Sequence, residues 1–227
     1  MTINKDKTTI AIENIRKLTD DYQNFLLSKQ IFDSQISAIK QLKVSENHIY
    51  VYFIKSSFFQ YAVSTIGRMI DNGSDSMSIV RLLNFIKRNS IYFDSSFYIA
   101  NIPYEDTRID GIEIQSNLRN ILIAEYNEIF GKNIESKIDS DLDFIKNDIT
   151  IKKIESIRNN VVAHMANQQY SYSITQSEID YVIDKIEELL LRYRLLLLQI
   201  GPIEKGSLDV VITYKWQDLL KDISAKL

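Results

Sequence analysis

The chain has 227 residues, 45% hydrophobic and 25% charged, a balance that suits one large globular domain or one domain with an appendage. Only 2 Pro and 6 Gly argue against the many turns of a β-sandwich or barrel, and the absence of Cys excludes disulfide frameworks, zinc–cysteine sites and thiol nucleophiles. A formal net charge of −3 excludes a protein that coats nucleic acid non-specifically, so any such contact must be local and transient, or supplied by dimerisation.

Residues 1–7 are polar and lack an apolar core, so no signal peptide is expected. Residues 8–42 carry Ile12, Ile15, Leu18, Tyr22, Phe25, Leu26, Ile36 and Ile39 at helical spacing. A second, aromatic-rich helix is predicted over 45–70, with His48 as a solvated residue near its start. It ends at the break Asp71-Asn72-Gly73-Ser74. A short helix follows over 76–89, then an irregular crossing loop over 90–110. Helices are predicted over 113–130, stopping at Gly131, and over 134–147.

A helix capped by Asp148 or Thr150 then runs to about Met165, and residues 166–174 form a polar loop. Thr175 and Glu178 have the three-residue spacing of a capping box. Ile179, Val182, Ile186, Leu189, Leu190, Tyr193, Leu196 and Leu197 mark a long amphipathic helix, stopped by Gly201-Pro202. Residues 208–227 are read as a short strand and a helix. The whole is an all-α bundle of long antiparallel helices, a domain over 1–200 with a C-terminal extension over 201–227 packed on it. Arg192 and Arg194 interrupt the strongest apolar run, so no membrane association is expected and the location is taken as cytoplasmic.

The chemistry centres on the helix after Asp148. At 100° per residue, Ile154, Arg158, Val161 and Met165 share one stripe. Arg158 therefore takes the place of a core residue, facing the interior or a subunit interface, and His164 lies beside the stripe on the flank of Asn160. A guanidinium there keeps its proton and needs an anion. That anion is either a carboxylate, from Glu155 or the stretch Asp139-Asp141-Asp143, or a substrate phosphate. Arg68 and Asp71 suggest a further ion pair at a helix end. Arg and His at a loose spacing arise by chance in roughly one shuffled sequence in four, but Arg-Asn-x4-His in roughly one in two hundred. Asn159 thus makes the pattern specific.

Ile157-Arg158-Asn159-Asn160-Val161-Val162-Ala163-His164 resembles the signature of the HEPN superfamily, helical ribonucleases and RNA-binding modules of prokaryotic conflict systems. Ser64-Thr65-Ile66-Gly67-Arg68-Met69-Ile70-Asp71 and Ser78-Ile79-Val80-Arg81-Leu82-Leu83-Asn84 resemble its abortive-infection branch. The likeness spans about residues 45–198. It implies a helical homodimer whose two motifs face one RNA across a cleft and cut it without metal or cofactor. It makes His164 the general acid/base, Arg158 the phosphate clamp and Asn159 an orienting residue. It also implies a toxin or defence effector, for which an antitoxin or defence-system partner protein is an expected companion. The modified Tyr that some members carry two residues after the His is replaced here by Ala166, so that form of regulation is not carried over.

The alternative is a non-catalytic RNA- or protein-binding dimer of the same fold. A ferritin-like metal bundle is excluded, because Ser45 and Val161, not Glu, stand three residues before His48 and His164. Most of the 13 Tyr and 10 Phe sit at helical spacing and are assigned to the core rather than to base stacking. Lys152 and Lys153 either guide RNA or simply solvate their helix.

Overall fold

The computed structural model describes residues 2–43, 45, 48–73, 77–100, 108–109, 112–113, 115–131, 133–163 and 174–198. Eight α-helices run through them: α1 Thr2–Gln41, α2 Ile49–Ile70, α3 Ile79–Arg88, α4 Ser95–Ala100, α5 Gln115–Phe130, α6 Ile134–Asn147, α7 Ile149–Ala163 and α8 Gln176–Leu198. A 3-10 turn covers Ser90–Tyr92, and one two-residue antiparallel pair joins Arg108–Ile109 to Ile112–Glu113. The fold is all-α.

The helix α1, about 60 Å long at 1.5 Å per residue, is the spine. It packs against α8, α2 and α3. Its buried Ala11, Ile15, Leu18, Tyr22 and Phe25 form one stripe at 3- and 4-residue steps. That stripe meets Ile66, Met69 and Ile70 of α2 and Ile183, Ile186 and Leu190 of α8 in a single core cluster. Tyr22 lies in this core with its hydroxyl donating to the Ile183 carbonyl at 3.4 Å. The helix α7 packs on α2 and buries Ile151 and Ile154.

Polar side chains close the helix ends as the sequence suggests. The Asp148 carboxylate accepts the N–H groups of Thr150 and Ile151, both at 2.9 Å, and starts α7. The Tyr181 hydroxyl donates to its other oxygen at 2.8 Å, tying the start of α7 to α8. The capping box on α8 makes both reciprocal bonds, Glu178 N–H to Thr175 Oγ1 at 3.2 Å and Thr175 N–H to Glu178 Oε2 at 2.7 Å. The bond from Lys153 and that from Thr175 hold the Glu178 carboxyl at about 2, well below the carboxylate range. Gly131, at φ +67, ends α5 in the left-handed conformation that favours glycine. His48 is the exposed N-cap of α2, its Nδ1 accepting from Tyr50 N–H at 3.2 Å.

The crossing loop expected over 90–110 is not wholly irregular. Asp94 accepts the Phe97 N–H at 2.9 Å and starts α4, which packs on α5. Phe93 and Tyr98 are fully buried there, and Tyr126 donates to the Phe93 carbonyl at 3.1 Å. Burial pushes the Tyr126 hydroxyl up to about 12. The aromatics that made this stretch look unlike a helix are its core contacts. The polar loop after residue 165, the Gly201-Pro202 stop and the extension over 201–227 lie outside the described residues. Among the described residues no helix is long and apolar enough to cross a membrane.

Candidate active site

Arg158 stands one turn beyond Ile154 on the face of α7 that meets α2. Its guanidinium reaches the C-terminal end of α2. One terminal nitrogen donates to the Gly67 carbonyl at 2.7 Å and the other to Asp71 Oδ2 at 3.0 Å. Two sequence features make this reach possible. Gly67 lacks a Cβ, and one built there would stand 2.4 Å from Arg158 Cδ and 3.2 Å from Cγ, so the arginine stem occupies space that any other residue would fill. Asp71 is the C-cap of α2, in extended backbone at φ −62 and ψ 139, which turns its carboxylate away from its own helix.

Asp71 does more than pair with arginine. Its Oδ1 accepts the Gly73 N–H at 3.1 Å and its carbonyl accepts from Ser78 Oγ, the N-cap of α3. The turn between α2 and α3 is thereby fastened to the arginine of α7. The pair is not sealed: 25% of the Arg158 side chain and 30% of that of Asp71 is exposed. A guanidinium with two donors engaged retains others for an anion arriving from solvent.

The carboxylate expected from Glu155 or from residues 139–143 is thus a different one. Asp139 pairs with Lys87. Asp141 is buried and accepts Arg192 on both oxygens at 2.8 Å and the Tyr193 hydroxyl at 2.8 Å, locking α6 to α8. Burial first, and then the Asp141 charge, drives the Tyr193 hydroxyl well above its ordinary range. Nor does Arg68 pair with Asp71; it reaches Asp21 of α1 at 3.5 Å. Glu155 stays in the field of the site: burial raises its carboxyl, Arg158 opposes that rise and Asp71 adds to it.

Asn159 is exposed on α7 beside Arg158. The helix continues to Ala163, and His164, next in sequence, lies outside the described residues. Lys153 is bound to Glu178 at 2.6 Å, whereas Lys152 is exposed. Among the described residues no group of three or more His, Asp or Glu stands close enough to hold a metal ion. Sequence reasoning missed Gly67 and Asp71 as neighbours of the motif. The available signal was a glycine inside a helix, which costs about 1 kcal/mol against Ala and so implies a close approach.

One variant follows from the seat. Gly67→Ala should expel the Arg158 stem and release its guanidinium from Asp71. Overpacking of this kind costs about 1–3 kcal/mol. The protein should stay folded at 25 °C, while any function of Arg158 falls nearly as far as in Arg158→Ala. Melting curves beside RNA-binding and cleavage assays check this. A Gly67→Ala protein with wild-type activity would show that the guanidinium need not be held there.

The family model of the AbiU2 group of HEPN domains matches residues 12–222, from the first turns of α1 to beyond α8. No curated protein and no solved structure matches the chain.

Proposed function

We propose, from the premise that this chain belongs to the AbiU2 family of HEPN domains, that it is a metal-independent endoribonuclease serving as a toxin or antiphage-defence effector. RNA carries its own nucleophile. The 2′-hydroxyl attacks the adjacent phosphorus, the bond to the 5′-oxygen breaks, and a 2′,3′-cyclic phosphate and a 5′-hydroxyl remain. The protein has to move two protons and stabilise charge on the phosphate.

The observation that carries this reading is the seating of Arg158. The guanidinium is aimed by Gly67 and Asp71, partly exposed, and six residues ahead of His164 in the chain. An arginine whose orientation is set before substrate arrives is suited to clamp a phosphate through two parallel hydrogen bonds. His164 takes the proton of the 2′-hydroxyl or gives one to the leaving oxygen, and Asn159 orients groups beside them.

One histidine cannot be base and acid in the same step, so the partner copy's motif takes the other role in a symmetric homodimer. Arg158 finds its anion within its own chain and does not itself demand a second copy. The dimer rests on the proton count. Light scattering should give twice the chain mass at micromolar concentration, and a monomer that cuts RNA would contradict the shared site. Cleavage of total RNA should proceed unchanged in EDTA. Abolition by the chelator would overturn the mechanism.

The same pair of bonds supports a second reading. Both Arg158 contacts are intramolecular, as a purely structural tie between α7 and α2 requires. In that case the chain is a binding module, and no RNA is cut by the folded dimer.

A further inference from the structure

We propose that the groove between α1 and α3 is a track for single-stranded RNA leading to Arg158. The ligand's identity as RNA rests on the ribonuclease reading above; the location rests on the groove itself. Its volume is about 650 Å³, and Asn14 of α1, Asn72 of the α2–α3 turn, and Arg81, Asn84, Phe85 and Arg88 of α3 line it.

The arrangement on α3 follows from its sequence. Ile79, Leu82, Leu83 and Ile86 are buried and commit one face to the core. That leaves Arg81, Asn84, Phe85 and Arg88, at steps of three, four and seven residues, along an adjoining face. The two arginines are exposed and about 10 Å apart along the axis at 1.5 Å per residue. Phe85 lies between them, packed partly against the core, so its position is set. Cations flanking an aromatic ring match the backbone and the bases of an unpaired strand, and side-chain amides match base edges. Among the described residues no acidic side chain lines the groove, although the chain as a whole carries a net charge of −3.

The groove is continuous with the candidate active site. Asn72 and Gly73, which line its end, directly follow Asp71, the residue that holds the Arg158 guanidinium. A strand lying along α3 therefore reaches the motif helix across this turn. Duplex RNA offers its bases only through grooves and does not present them to a ring such as Phe85.

The test uses the full chain and a fluorescein-labelled 12-nucleotide single-stranded RNA, 2′-O-methylated to prevent cleavage. Binding is followed by fluorescence anisotropy across salt concentration. Arg81→Gln/Arg88→Gln should weaken binding about tenfold at low salt. It should also flatten the slope of log K against log salt by about 1.4, the release expected for two phosphate contacts on a single strand. Phe85→Leu should weaken binding about fivefold or more with the slope unchanged, since stacking carries no counterion release. Melting curves confirm that each variant is folded. Wild-type affinity and slope in the double arginine variant would overturn the proposal, as would equal affinity for a duplex of the same length. A parallel assay with unmodified RNA separates the two claims. If the groove is right and catalysis wrong, the RNA stays intact while binding still depends on Arg81 and Arg88. If catalysis is right and the groove wrong, the double arginine variant cuts at the wild-type rate.

Discussion

His164→Ala should leave a folded protein that cuts RNA about 10²- to 10⁴-fold more slowly, the usual contribution of a general acid/base. The chain holds only two histidines, and His48 is committed to capping α2. No second imidazole in the chain is therefore placed to take over. On the helical wheel His164 falls beside the apolar stripe of its helix, so truncation should cost on the order of 1 kcal/mol of stability. RNA binding should persist, because Arg158 still meets the phosphate. A cleavage assay run beside a thermal melt and a binding titration checks all three expectations. A folded His164→Ala protein that cuts at the wild-type rate would remove the residue from the mechanism.

Arg158→Ala should act on both binding and turnover. The guanidinium contacts the phosphate in the ground state and more strongly as charge develops, so affinity and rate fall together, with cleavage reduced by roughly 10²-fold or more. Stability should fall as well. Truncation leaves the Gly67 carbonyl without this donor and the Asp71 carboxylate without its cation, at a helix end where both are partly shielded. A charge-assisted bond is worth about 1.5–3 kcal/mol, and the exposure of the pair places the loss at the lower end. For a domain of this size that is a shift of a few degrees in Tm. Arg158→Lys retains the charge but not the two-pronged geometry, so it should recover stability better than binding. The structural-tie reading predicts the same melts with unchanged RNA affinity. An Arg158→Ala protein that is folded at the assay temperature and binds and cuts normally would decide for that reading.

These two variants probe a site that was half legible in the sequence. The helices were written in local terms. Ile15, Leu18, Tyr22 and Phe25 repeat at helical spacing, Thr175 and Glu178 announce a capping box, and Gly131 marks a stop. Each signal is read within one or two turns of chain. The irregular reading of residues 90–110 failed because aromatics and a short length hide α4, whose formation depends on burying Phe93 and Tyr98 against distant helices.

The partner of Arg158 failed for a related reason. Glu155 and Asp139-Asp141-Asp143 were nearest in sequence, but Asp71, 87 positions away, is nearest in space. Arg68 and Asp71 have the three-residue spacing of a helix pair, yet Asp71 lies just past the helix in extended backbone and its side chain leaves that face. Arg68 instead meets Asp21 on α1. What the local pattern did contain was the stretch from Ser64 to Asp71, quoted for its family likeness. The fold brings its Gly67 and Asp71 against the arginine of the motif.

The central claim is a transesterification carried out by side chains on the RNA's own 2′-hydroxyl. The chemistry of the cut ends tests it most directly. Purified full-length protein is incubated with RNA in EDTA, and the products are analysed for their termini. The account predicts 5′-hydroxyl ends and 2′,3′-cyclic phosphates, with no such ends formed by an equal concentration of His164→Ala protein. Products bearing 5′-phosphates and 3′-hydroxyls, or RNA left intact by a folded dimer, would contradict it.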